Sequence, residues 1–143
     1  MTIKQISVFV SNMTGGLADI AEVISKNGID IRALSIADTT DFGILRLIVD
    51  DPEKAQACLT QAGYVVSATD VVAAHIDDQP GGLASILRLL ADAGIAIEYV
   101  YAFVTRKAKN AYVVFRLEDN ERACKVLCDN GVKLASPEEV YTI

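Results

Sequence analysis

The chain carries one motif twice. Ser11-Asn12-Met13-Thr14-Gly15-Gly16-Leu17-Ala18-Asp19-Ile20 returns as Asp77-Asp78-Gln79-Pro80-Gly81-Gly82-Leu83-Ala84-Ser85-Ile86, an offset of 66 (81 less 15). At the same offset Asn27-Gly28-Ile29-Asp30-Ile31 becomes Ala93-Gly94-Ile95-Ala96-Ile97. Farther on, Asp50-Asp51-Pro52-Glu53-Lys54-Ala55 matches Glu118-Asp119-Asn120-Glu121-Arg122-Ala123, and Gly63 matches Gly131, so the offset has become 68 (131 less 63). Two residues were gained between these points, which places an insertion in a turn. A duplication of this kind describes two like modules.

With 143 residues in all, each module is near the size at which a single hydrophobic core barely suffices, and 52% of the chain is hydrophobic. Small domains this apolar tend to have a face to hide, so an oligomer is expected, a homodimer being the simplest. The net charge of −6 disfavours nucleic acid, which needs a basic footprint against phosphates. No apolar run is long enough to cross a bilayer, and Met1-Thr2-Ile3-Lys4-Gln5 leads directly into a strand-like segment without signal-peptide architecture, so a cytoplasmic location is expected with no membrane partner. Cys58, Cys124 and Cys128 are an odd number at spacings unlike a zinc pattern, and His75 is the sole histidine, so no metal and no other cofactor is expected.

Ile6, Val8 and Val10 alternate with Gln5, Ser7 and Phe9 at strand period. Leu17, Ile20, Ala21, Val23 and Ile24 follow at helical spacing until Asn27-Gly28. Residues 29–37 and 44–49 read as a hairpin around the turn 38–43. Asp51 is an N-cap candidate with Pro52 at the first helical position, and the second helix carries Ala55, Cys58, Leu59 and Ala62 inward. Tyr64-Val65-Val66 closes the first module.

The second module repeats the order: strand 71–76, helix 81–93, hairpin 97–104 and 111–117, helix 121–130 and strand 132–135, with the two extra residues in the turn 105–110. Ser67-Ala68-Thr69-Asp70 between the modules is too short for a flexible tether. The fold class is α+β: two ferredoxin-like βαββαβ modules, residues 1–68 and 69–143, each an antiparallel sheet with its helices on one face. The other face, carrying Phe9 and His75, is expected to be uncovered or packed by another subunit.

The Ser11 to Leu17 loop, the Asn27-Gly28-Ile29-Asp30-Ile31 helix exit and the following strand pair resemble the ACT domain, a small regulatory module that senses amino acids. Asp77-Asp78-Gln79-Pro80-Gly81-Gly82-Leu83 is closer still to the D-x-P-G-x-L pattern of that family. The resemblance implies that modules pair side by side into an eight-stranded sheet, with an effector at the seam between them. It also implies a ligand held by the loop before the first helix of one module and by the second strand of its neighbour. The binding residues implied are Ser11, Asn12, Met13, Thr14, Gly15, Gly16 and Leu17 with Asp30, Ile31 and Arg32, and Asp78, Gln79, Gly81, Gly82 and Leu83 with Ile97, Glu98 and Tyr99.

The loop chemistry is compatible with a zwitterion. A glycine pair at a helix start lets a ligand approach unpaired N–H groups, where the helix dipole favours a carboxylate. In the first loop Asn12 offers an amide and Thr14 a hydroxyl without adding charge, whereas Asp77 and Asp78 in the second would attract an ammonium and repel a carboxylate. The residues therefore favour the first loop. The plainer readings stand beside this one: a glycine pair is commonly only a tight turn, Pro80 suits a first helical turn, and Asp77 and Asp78 could simply cap that helix. Arg32 and Arg46 read chiefly as surface groups, Tyr99, Tyr101 and Tyr112 as packing, and His75 as a packed or surface histidine.

No nucleophile and base pair, metal cluster or phosphate loop is recognisable, so no catalytic residue is expected. The expected function is a non-catalytic regulatory protein that senses a free amino acid and signals to a protein partner. The alternatives are a ligand-free assembly module and a small enzyme on the same frame.

Overall fold

The computed structural model describes residues 1–11, 13–38, 42–103 and 110–142. The elements run β1 (Ile3–Ser11), α1 (Gly16–Lys26), β2 (Ile31–Asp38), β3 (Phe42–Val49), α2 (Pro52–Gln61), β4 (Val66–Asp77), α3 (Gly82–Asp92), β5 (Ile97–Ala102), β6 (Asn110–Leu117), α4 (Asn120–Asp129) and α5 (Pro137–Thr142). The chain divides into two compact units. One is Lys4–Thr69, and the other is Asp70–Ile143 together with Met1–Ile3.

In the Lys4–Thr69 unit β3 lies between β2 and β1, antiparallel to both. Val8 and Ile36 both stand opposite Leu45, and Ile6 and Leu34 opposite Leu47, so these residues share one face. On that face α1 buries Ile20 and Ile24 and α2 buries Ala55 and Leu59, each pair one helical turn apart. Ile6, Val8, Leu45 and Leu47 complete the core. Leu34 and Ile36 point the same way but lie on β2, at the margin of the sheet, and stay half exposed. Ala62, read as inward, is exposed, and so is Leu17 of the helical pattern in the first helix, because each sits at a helix end beyond the buried pair. The opposite face carries Phe9 and Phe42, whose rings lie 5.5 Å apart and remain 47% and 41% exposed.

In the other unit β6 lies between β4 and β5. Its helices reproduce the arrangement: α3 buries Ile86 and Leu90, and α4 buries Ala123 and Leu127. The duplication thus reaches the packing, since α2 and α4 both present an Ala-Leu pair. Asp51 and Asp119 repeat it in capping, accepting from Lys54 N at 3.1 Å and Arg122 N at 3.0 Å.

Three features depart from the sequence reading. Residues 67–70 lie inside β4, so the two strands expected on either side of a connector are one strand; nothing in Ser67-Ala68-Thr69-Asp70 breaks it, there being no glycine or proline. The strand expected at 132–135 is a single bridge, Ala74 to Leu134, flanked by His75 N to Lys133 O and Ala135 N to Ala73 O, both 2.8 Å. Pro137, which has no N–H to offer a ladder, begins a helix two residues later. Six strands therefore stand among the described residues where eight were expected.

The third departure is α5 itself. Val72 and Ala74 belong to the helix-side core, so the intervening Ala73 and His75 face the other way, together with their partners Val114 and Tyr112. On that second face α5 places Glu139 against His75 and Tyr112 and buries Val140 completely. The face expected to be open at His75 is covered by the chain itself.

Candidate ligand-binding site

At the end of β4 the chain turns through Asp78, Gln79 and Pro80 into α3. Gln79 N donates to Asp77 O at 2.8 Å and Gly82 N to Gln79 O at 3.0 Å, closing the turn. Gly81 has φ 89°, in the left-handed region that glycine supplies without strain. At Gly82 a Cβ would overlap the Asp77 carbonyl, so the second glycine is required by close approach of backbone. Neither Asp77 nor Asp78 caps the helix: Gly81 is the N-cap, no side chain serves, and no acidic residue stands in the first turn. The positive end of α3 is thus left without a side-chain anion.

A cavity of about 480 Å³ opens beside this helix start. Gln79, Gly81, Gly82 and Ser85 form one wall and Val132 and Lys133 the other, with His75 and Asp77 of β4 also lining it. It offers a cation, a carboxylate, neutral hydrogen-bonding groups and the first turn of a helix within one volume. That combination suits a small molecule bearing both charges.

Of the residues implied by the resemblance in this unit, Gln79, Gly81 and Gly82 line the cavity. Asp78 does not, and Leu83 packs against the core. Ile97, Glu98 and Tyr99 lie on β5, two strands from β4 and so about 10 Å away across the sheet. Glu98 pairs there with Arg116 at 3.2 Å, and Tyr99 stacks on Tyr101.

In the Lys4–Thr69 unit Ser11 Oγ accepts from Met13 N at 3.3 Å, Met13 and Thr14 are exposed, and Gly15 has φ 86°. Asn12 lies outside the described residues. Asp19 occupies the first turn of α1, so this helix start is less hospitable to an anion than that of α3. Asp30 binds Asp50 through its backbone N–H and Arg32 through its carboxylate, at 2.9 and 3.2 Å. Asp30 and Ile31 border a second cavity of about 320 Å³ with Ser25 and Gly28, at the exit of α1. An 11-residue helix is about 16 Å long, so within this unit the loop at its entry and the segment at its exit form no common site.

Beside the larger cavity lies a cluster that sequence reasoning missed. One oxygen of Glu139, Oε1, receives Tyr112 Oη at 3.1 Å and Lys133 Nζ at 3.5 Å, and lies 2.9 Å from His75 Nε2. The histidine contact is short but is no hydrogen bond by geometry, and it becomes an ion pair only when His75 is protonated. The His75 and Tyr112 rings pack at 4.2 Å, and Phe103 meets Tyr112 edge-on. A signal for this cluster exists: Ser136-Pro137-Glu138-Glu139 has the Ser-x-x-Glu form of a capping box with proline at the first helical position, and Ser136 Oγ does accept from Glu139 N at 3.1 Å.

Burial holds the His75 pKa below its ordinary value of 6.5; Glu139 opposes this and Lys133 adds to it. Burial pushes the Glu139 carboxyl upward, but the Tyr112 hydrogen bond, His75, Lys133 and the Ser136 backbone outweigh it and leave the carboxyl below its usual range. Burial and the Glu139 carboxylate raise Tyr112 to about 12. For His75 the folded state resists protonation more than the unfolded chain does. Its contribution is therefore fully present above pH 6.5 and is lost as pH falls through the lower folded value. The melting temperature of the parent chain should accordingly fall more steeply below pH 6.5 than that of His75→Gln; parallel pH profiles would remove this role.

Among the described residues no group of three or more His, Cys, Asp or Glu side chains is placed to hold a metal ion, and no helix is long and apolar enough to cross a membrane. The three cysteines are free.

The family model described as an ACT domain pair matches residues 1–143. The chain belongs to the ACT domain pair family. The crystal structure of protein BT0572 from Bacteroides thetaiotaomicron is 38% identical, covers 100% of this chain and 98% of its own, and superposes with a TM-score of 0.93. The regulatory subunit of aspartate kinase from Thermus thermophilus, in a ligand-free form, is 16% identical over 88% of this chain and 91% of its own, with a TM-score of 0.65. That from Thermus flavus is also 16% identical, over 88% and 90%, with a TM-score of 0.61. At such identity these two establish the shared ACT fold. No curated protein matches the chain.

Proposed function

We propose that this ACT domain pair is a non-catalytic regulatory protein that binds a free amino acid in the cavity at the start of α3. The observation that carries the reading is the cavity's lining, in which Lys133 and an uncapped helix N-terminus stand with Asp77 around about 480 Å³. An α-carboxylate is served by the first-turn N–H groups of α3 and by Lys133, and an α-ammonium by Asp77. Gln79 and Ser85 supply neutral hydrogen bonds for a side chain. The family membership and the regulatory role of the aspartate kinase subunits support the same reading.

This moves the preferred site from the first loop to the second. In solution we propose a cytoplasmic homodimer that passes the bound state to a protein partner, the exposed Phe9 and Phe42 supplying apolar surface for association.

A thermal-shift screen of the common L-amino acids, confirmed by calorimetry, tests the proposal. Ligand at 100 times its Kd stabilises a folded state by about 2.7 kcal/mol. A selective rise in melting temperature with one or a few amino acids, reduced in Lys133→Gln, is expected. A flat response to all of them would transfer the weight to a ligand-free assembly module.

A further inference from the structure

The cavity and α5 share two side chains. His75 and Lys133 line the cavity, and the same two residues meet Glu139 on α5. Glu139 is therefore a carboxylate built into the chain that engages Lys133, the cation a ligand carboxylate in the cavity would seek. The covalent connection is equally short: the wall formed by Val132 and Lys133 runs through the Ala74–Leu134 bridge directly into Ser136 and α5.

Several of the contacts that hold α5 are identifiable. Val140 is completely buried, Val140 N bonds Ser136 O, Ser136 caps the helix, and Glu139 collects Tyr112, His75 and Lys133. A helix of six residues has little stability of its own, so contacts of this kind determine whether it stays docked. Within the cluster Lys133 is the side chain free to move, being 70% exposed, whereas His75 is 12% exposed.

We propose that Glu139 competes with the ligand for Lys133, so that filling the cavity loosens α5 from the sheet and makes this helix the output of the site. The inference rests on the amino-acid reading of the cavity. When a ligand carboxylate draws Lys133 away, Glu139 keeps Tyr112 and a histidine that burial holds neutral at neutral pH, and loses the permanent cation that it meets among the described residues. A half-buried carboxylate that loses a counter-charge is shifted toward release into water. By linkage, docked α5 weakens ligand binding by the same factor by which bound ligand weakens docking, so weakening α5 strengthens binding up to that factor.

The experiment uses the full chain and the L-amino acid that gives the largest thermal shift. In the parent, that amino acid is expected to speed amide exchange at residues 139–142 by about fivefold or more, while exchange in α3 slows. Glu139→Gln is expected to bind the same amino acid about fivefold tighter, a gain that a purely structural role for Glu139 would not produce. Tyr112→Phe, which leaves Lys133 and Glu139 in place, should shift affinity in the same direction by less. Binding that leaves exchange at 139–142 unchanged, with equal affinity in the parent and Glu139→Gln, would overturn the coupling and leave the binding site standing. No binding by any amino acid to the parent or to Glu139→Gln would remove the site and the coupling together.

Discussion

Gly82→Ala is expected to destabilise the Asp70–Ile143 unit by about 1–3 kcal/mol or more and to abolish the ligand-induced thermal shift. The new methyl group meets the Asp77 carbonyl, which is backbone and cannot swing aside. That carbonyl accepts from Gln79 N, and Gly82 N to Gln79 O closes the same turn, so relief requires opening the loop that forms the cavity wall. The equivalent substitution in the first loop is a built-in control. At Gly16 a Cβ stands 2.9 Å from Ser11 O, also backbone, and 3.3 Å from Val10 Cγ1, a much smaller overlap than that with Asp77 O at Gly82. Urea denaturation of the two variants should therefore place Gly82→Ala below Gly16→Ala, and Gly16→Ala below the parent. A Gly82→Ala protein as stable as the parent would mean that the loop is not drawn this tightly.

The second large effect concerns the core. Phe115→Ala is expected to lower stability by about 3–5 kcal/mol, seen as a drop in the urea midpoint at nearly unchanged slope. Phe115 is completely buried on β6, with Val72, Ile86, Leu90 and Leu127 in the same cluster. Removing its ring withdraws apolar surface from the core and leaves a cavity between sheet and helices. Domains of this size have about 5–15 kcal/mol in all, so the loss takes a large share. Phe9→Ala, at a ring that is 47% exposed, should stay within about 0.5 kcal/mol. Equal effects at the two positions would contradict the assignment of faces.

Much of this architecture was legible because the duplication supplies two independent readings of each element. The Asn-Gly exit of the first helix and the Asp51-Pro52 start of the second have counterparts at Ala93-Gly94 and Asp119-Asn120, and all four helices fall within a few residues of their expected places. The repeat was silent where the copies differ. α5 has no counterpart in the first module, so the only signal was the local Ser136 to Glu139 capping pattern. The covering of His75 could not be foreseen without it. The strand break expected near Ser67 failed for the opposite reason: a periodic pattern shows where strands exist, but only a turn residue shows where they end.

The site followed the same division. Gly81 and Gly82 announced a backbone turn at a helix start, which local sequence specifies well. Lys133 and Glu139 reach the same neighbourhood from 50 residues or more away, through pairing beside β4 that no local pattern encodes. Charge counting along the second loop did not include Lys133, which is remote in sequence from Asp77 and lines the same cavity.

The membership of Met1–Ile3 has a consequence for how the chain comes together. These residues belong with Asp70–Ile143, where Ile3 is 1% exposed and the Met1 ammonium lies 3.5 Å from Cys124 Sγ, 123 positions along the chain. The Lys4–Thr69 unit can close from neighbours in sequence, whereas seating Met1 closes a loop nearly as long as the chain, with the entropy that such a loop forfeits. The gene's two repeats are therefore not two self-sufficient pieces. Severed at residue 69, the second would begin its folding without its own first three residues.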